Sequence, residues 1–289
     1  MLSTRFFESL ISFIEGVDFF MLSKILRTAS LLLIAAPLGL HAAAERLTPE
    51  QMRDASFLDT VSIPTPGEFF LAVDKQCQPN WSKLLRPSAP SSTSDRERIA
   101  LQLGMLAADG FMAIEAQDGQ SVKNTARDTL LLAKKLNVSQ QIVARSQSIS
   151  DFADAGNWSR LREELDAMQN DIRLCLLEQK DSPLVVLAMA GSWVRQLDMA
   201  SNLLAANDNS VSTALLVQPE IASRILSRIE NLPENSKKRP IVKQLSEGLR
   251  TTSALMSQST SSLPPTAVQS IASTLSAITA AAADVDSKK

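Results

Sequence analysis

Residues 182–206 read SPLVVLAMAGSWVRQLDMASNLLAA, and no charge falls between Pro183 and Gly191. Apolar residues point to every side of that segment, so as a helix it must be covered nearly all round, which makes it a core helix. Ser182 followed by Pro183 has the pattern of an N-cap with proline at the first helical position. Leu187, Gly191, Val194, Asp198 and Ser201 form one row along the cylinder, and Val186, Ala190, Trp193, Leu197, Ala200 and Leu204 form another. Small residues at Ala188, Ala190, Gly191 and Ser192 predict close approach of a neighbouring helix.

The neighbour with matching character runs from about Glu97 to Gln117, opened by the Ser94-x-x-Glu97 capping-box spacing. Between Arg98 and Glu115 its only charge is Asp109. Gly104 and Gly110 each forfeit about 1 kcal/mol of helix propensity relative to alanine, a cost that close packing explains. Three helices follow, at about Ser121–Leu136, Ser139–Ala155 and Trp158–Lys180. The last carries Trp158, Leu161, Leu165, Met168, Ile172, Cys175 and Leu176 on one face. Beyond the central helix come Val211–Val217, a Pro219-initiated helix to about Asn231, one from Pro240 to Met256 and one from Pro265 to Ala283. There is no tyrosine and no sustained period-two run. The expected fold is all-α, an irregular array of about eight main helices centred on residues 97–117, 158–180 and 183–206.

Residues 45–92 read as an N-terminal arm of short helices plus linker. Thr48-Pro49-Glu50-Gln51 and Thr65-Pro66-Gly67-Glu68 both predict helix starts. Phe69, Phe70 and Val73 are the docking face of the second, Trp81 and Leu84-Leu85 are a further anchor, and residues 86–94 are linker. Residues 93–258 form the expected core domain, and 259–289 a linker, an alanine-rich helix and a frayed tail.

From Met21 the chain reads MLSKILRTASLLLIAAPLGLHAAAE, with Lys24 and Arg27, an apolar run and Ala42-Ala43-Ala44, the layout of a secretory signal peptide over residues 21–44. The run is shorter than the roughly 20 residues of a spanning helix, so no membrane anchor is expected after cleavage. Residues 1–20 read as a misassigned start extension. The expected localisation is periplasmic or secreted. Removing residues 1–44 takes Arg5, Lys24 and Arg27 with Glu8, Glu15 and Asp18, so the net charge stays at −2. That balance gives no electrostatic case for nucleic acid.

His41, the chain's one histidine, lies within the signal segment, so the mature chain has no histidine base. Cys77 and Cys175 are too few for a zinc site, and no metal or other cofactor is expected. In an oxidising compartment the two are a candidate disulfide.

TLLLAKKLNVSQQIVARSQ, Thr129 to Gln147, resembles a DNA-binding helix-turn-helix, with Ala133 on the first helix, Asn137-Val138 at the turn, and Ile142 and Val143 behind Ser139, Gln140, Gln141 and Arg145. Lys123, Arg127, Lys134 and Lys135 add positive charge. Asp109 and Arg195, each set in a long apolar stretch, are expected to meet as a buried ion pair, because an unpaired buried charge is too costly to keep. Glu163, Glu164, Asp166 and Asp171 are carboxylates on a solvated face, and Trp81, Trp158 and Trp193 are core anchors.

No nucleophile elbow, phosphate loop or metal-ligand cluster is present. The leading expectation is a non-enzymatic exported scaffold or binding protein with a protein or small-molecule partner. The alternatives are an exported hydrolase or lyase using carboxylates in a helical pocket around Asp109, and DNA binding through residues 129–147.

Overall fold

The computed structural model describes residues 64–87, 92–138, 140–206 and 213–283, apart from the side chain of Gln141. The signal segment, the start extension and the helix expected at Thr48 lie outside the described residues. Ten α-helices and no strand occur among the described residues: α1 (Pro66–Cys77), α2 (Arg96–Glu115), α3 (Gly119–Lys135), α4 (Gln140–Asp154), α5 (Trp158–Glu178), α6 (Ser182–Ala206), α7 (Pro219–Glu230), α8 (Glu234–Lys237), α9 (Pro240–Met256) and α10 (Pro265–Ala283). The protein is an all-α multi-helix array.

α2 and α6 form the most extensive helix pair, and two glycines set their distance. A Cβ on Gly104 would stand 1.8 Å from the Ala188 carbonyl oxygen, and one on Gly191 would stand 2.1 Å from that of Leu101. The hydrogen in each Cβ position therefore points at a carbonyl oxygen of the facing helix, a backbone-on-backbone contact of the Cα–H···O type. α10 rather than α5 completes the centre. It lies along α6 and also against α9, burying Val268, Ile271, Leu275 and Ile278 at helical spacing. This helix, which the sequence set apart after a linker, is long and apolar enough to cross a membrane by length and composition, yet one stripe of it is buried in the core. The arm docks as well: Phe70 and Val73 of α1 are fully buried, and Trp81 packs edge-on against Phe70 at 5.6 Å while donating its Nε1 hydrogen to Asp74.

The four junctions from α2 to α6 repeat one device. Gln117, Asn137, Gly156 and Lys180 adopt positive φ. The next amide in each case bonds the carbonyl five residues back: Asp118 to Ala113, Val138 to Ala133, Asn157 to Phe152 and Asp181 to Leu176, at 2.8–3.0 Å. These are Schellman closures, which satisfy carbonyls the helix ends leave open and reverse the chain within three or four residues. Antiparallel neighbours follow.

Two caps differ from the spacing rule. α2 is capped by Asp95, which accepts from Arg98 N at 3.1 Å, and not by Ser94. Glu97 cannot reach back as a box partner, because it is buried and accepts from Ser236 of α8 at 2.9 Å. α3 begins at Gly119 rather than Ser121, with Asp118 accepting from both the amide and the hydroxyl of Ser121 at 2.9 and 2.8 Å.

The hydrogen bonds from the Ser121 amide and hydroxyl hold the Asp118 carboxyl below its ordinary range, against a smaller opposing effect of burial. A depressed folded value means this stabilisation is present above the unfolded carboxyl's pKa of about 4 and is lost as pH falls through the folded value. Asp118→Ala is expected to cost about 1 kcal/mol at pH 7 and progressively less below about pH 4. Urea melts of the two proteins at both pH values check this, and an equal cost at pH 7 and pH 2 would exclude the charged cap.

Candidate functional site

α2 and α3 diverge around a cleft of about 380 Å³. Met105, Leu106, Leu131 and Leu132 make its apolar walls, Gln102, Asp109 and Asp128 its polar ones, and Leu85, Arg86 and Pro87 cross its mouth. The stripe Gln102, Leu106, Asp109 and Ala113 is one face of α2, and Ser121, Thr125, Asp128 and Leu132 one face of α3, so helical spacing alone delivers both sets. A mostly apolar concavity with a few convergent polar groups is the usual form of a small-molecule site.

Asp109 connects the cleft to the core. Arg195 Nε donates to Asp109 Oδ1 at 2.7 Å, and Arg195 Nη1 donates to Asp198 Oδ2 at 2.7 Å. The sequence reading matched Arg195 with Asp109 and missed Asp198, although three residues along a helix is the spacing at which side chains meet. Asp198 Oδ1 also accepts from Ser276 Oγ at 2.6 Å and Asn202 Nδ2 at 2.9 Å, tying α6 to α10. The second oxygen of Asp109 is held by Arg86, from a segment read as linker, for which periodicity gave no signal. Arg195 is 4% exposed. Burial alone would lower the pKa of its guanidinium, but the Asp109 and Asp198 carboxylates outweigh that and raise it.

Asp128, also unsingled in the sequence, is buried and accepts from the Nε and Nη2 of Arg127. Gln102 is 6% exposed. Its Nε2 donates to the Ala282 carbonyl, whereas its Oε1 is buried and accepts no hydrogen bond.

The helix-turn-helix resemblance falls on α3, the Leu136–Val138 turn and α4. Ser139 and the Gln141 side chain lie outside the described residues. Val138 and Ile142 are buried as a packed turn requires. The basic side chains are engaged within the protein: Arg145 bonds Asp171 and Glu164 of α5 at 2.6 and 3.0 Å, Lys123 bonds Asp154 at 2.6 Å, and Lys135 bonds the Thr93 carbonyl at 2.8 Å. Arg127 is paired with Asp128 at 3.0 Å. Of the carboxylates on α5, Glu164 and Asp171 serve Arg145, and Glu163 pairs with Arg160 at the surface.

Cys77 and Cys175 correct the disulfide expectation, since both are free thiols and are not within bonding distance. Cys77 ends α1, which packs on α2 and α6, while Cys175 is buried on α5; a disulfide needs Cα atoms within about 7 Å and converging Cβ vectors. Burial raises the pKa of both thiols, with Glu178 and Asp171 adding to it at Cys175.

No family model, no curated protein and no solved structure matches the chain, so its functional reading rests on the chemistry of these side chains.

Proposed function

We propose that this chain is an exported, non-catalytic binding protein whose small-molecule ligand occupies the cleft between α2 and α3. The observation that carries the reading is Asp109, the carboxylate at the cleft wall with both oxygens engaged by guanidinium groups, one from Arg86 and one from Arg195. A general base must offer an acceptor within about 2.6–3.2 Å of the proton it removes. An oxygen already held by a buried arginine favours a fixed binding determinant over a base. The export part of the proposal rests on the signal-like segment 21–44 and the balanced charge.

The cleft itself favours the second reading, a hydrolase or lyase, because Asp109 lines it. That reading requires Asp109 to exchange Arg86 for substrate while Arg195 stays bound.

A fragment screen read by methyl chemical shifts tests the binding proposal. Hits are expected to cluster on Met105, Leu106, Leu131 and Leu132 and to vanish in Leu106→Trp, which fills the cleft. Hits centred instead on the groove of about 410 Å³ that includes Ile172, Val185 and Met189 would overturn the assignment.

A further inference from the structure

We propose that the α2–α3 cleft takes an organic cation, a primary amine with a short apolar body, whose ammonium replaces the Arg86 guanidinium on Asp109. This rests on the binding reading above and names the ligand's chemistry.

The charge arrangement singles out a cation. The cleft wall carries two carboxylates, Asp109 and Asp128, and Arg86 is the one basic residue among those that line it. Asp128 has its own partner in Arg127, which stands outside the cleft. Asp109 has two partners of different kinds. Arg195 is locked from below by burial and by Asp198, and its side chain is 5% exposed. Arg86 holds the other oxygen from a segment at the mouth, with its side chain 33% exposed. When Arg86 swings into solvent, the remaining Asp109–Arg195–Asp198 group carries one net negative charge, which a buried site does not tolerate uncompensated. An ammonium restores neutrality, whereas a carboxylate ligand would meet Asp109 and Asp128 without a free cation.

A second observation, independent of the acidic pair, points the same way. Gln102 is buried, lines the cleft, and has an Oε1 that accepts no hydrogen bond, while its amide nitrogen is committed to the Ala282 carbonyl. A buried acceptor without a donor is costly, and a ligand N–H supplies the donor. Three acceptor groups thus line one cleft, against walls of Met105, Leu106, Leu131 and Leu132 that suit an aliphatic body. Arg86 then acts as a resident stand-in for the ligand's cation, which keeps the empty site neutral and selects against ligands too weakly charged to displace it.

Isothermal titration of the full chain with hexan-1-amine, hexanoic acid and hexan-1-ol at pH 7 and low salt tests this, using wild type, Arg86→Gln and Arg86→Lys. The amine is expected to bind wild type, to bind Arg86→Gln about five- to tenfold tighter, since one half-exposed competitor is removed, and to bind Arg86→Lys about as wild type does. Circular dichroism melts of the variants establish that they are folded. Unchanged amine affinity in folded Arg86→Gln would overturn the stand-in role. If the acid or the alcohol binds the cleft as well as the amine, the cation assignment falls and the binding function stands. If neither these probes nor the fragments shift the cleft methyls, both fall.

Discussion

Gly191→Ala is expected to destabilise the protein by about 3–5 kcal/mol, and Gly104→Ala by a similar amount. On an exposed helix the same change would add about 1 kcal/mol of stability through helix propensity, so the environment reverses the sign. The reason is what the new methyl meets. At Gly191 it would lie 2.1 Å from the Leu101 oxygen and 2.9 Å from its carbonyl carbon, and at Gly104 it would lie 1.8 Å from the Ala188 oxygen and 2.7 Å from Ser192 N. These are backbone atoms of rigid helices, and no rotamer change moves them. α2 and α6 must separate, and every side chain packed on both loses contact at once. A cost of that size approaches the whole stability of an ordinary domain, about 5–15 kcal/mol.

Denaturant unfolding monitored by the far-ultraviolet signal and by Trp193, which is buried on α6, reads the effect. Gly248→Ala is the control. There the methyl would meet the Ile278 Cδ1 at 2.5 Å, the far end of a flexible side chain, so the expected cost is only about 1 kcal/mol. The double variant Gly104→Ala/Gly191→Ala should cost less than the sum of its parts, because separating the helices for one methyl makes room for the other. A neutral or stabilising Gly191→Ala would mean that α2 and α6 do not cross at these two positions.

That crossing was legible in the sequence because it is encoded locally. Glycines in the middle of apolar helices contradict helix propensity, and close packing is the physical reason to keep them there. The faces of α1 and α5 were legible for a similar reason, since helical spacing fixes which side chains share a side. The place of α10 was not. Its alanine- and serine-rich composition and the preceding Ser-Thr-Pro stretch fit a peripheral helix, and only the tertiary partner α6 turns Ile271, Leu275 and Ile278 into core. The cleft was legible by one residue. A lone aspartate in an apolar helix demanded a partner, but the roles of Arg86, Asp128 and Gln102 depend on which segments the turns bring together, and no spacing along the chain records that. The disulfide expectation failed on the same ground: a count of two cysteines carries no distance.

Arg195→Met is the other change with a large expected effect, about 3–5 kcal/mol, because it leaves two carboxylates at a site built for a cation between them. Asp198 would retain Asn202 and Ser276, and Asp109 would retain Arg86, but neither set carries a buried positive charge. Asp109→Asn should cost less, about 1–2 kcal/mol, since the amide oxygen still accepts from Arg195 Nε and Asp198 still neutralises the guanidinium. In the double variant the costs should fall short of additive by about 1–3 kcal/mol, the coupling of residues in one network. Strict additivity in urea unfolding would sink the pairing.

A third variant separates stability from function. Exchanging a buried ionic group wholesale for apolar residues of similar volume is often neutral or stabilising, by as much as about 4 kcal/mol. Asp109→Leu/Arg195→Met/Asp198→Leu is therefore expected to recover much of what Arg195→Met alone loses. If the network only braced α2, α6 and α10, this triple variant would behave as wild type in every other respect. Because Asp109 also forms part of the cleft wall, the triple variant is instead expected to fold and to lose binding of hexan-1-amine, which would place the reason for the buried charges in the cleft and not in the core.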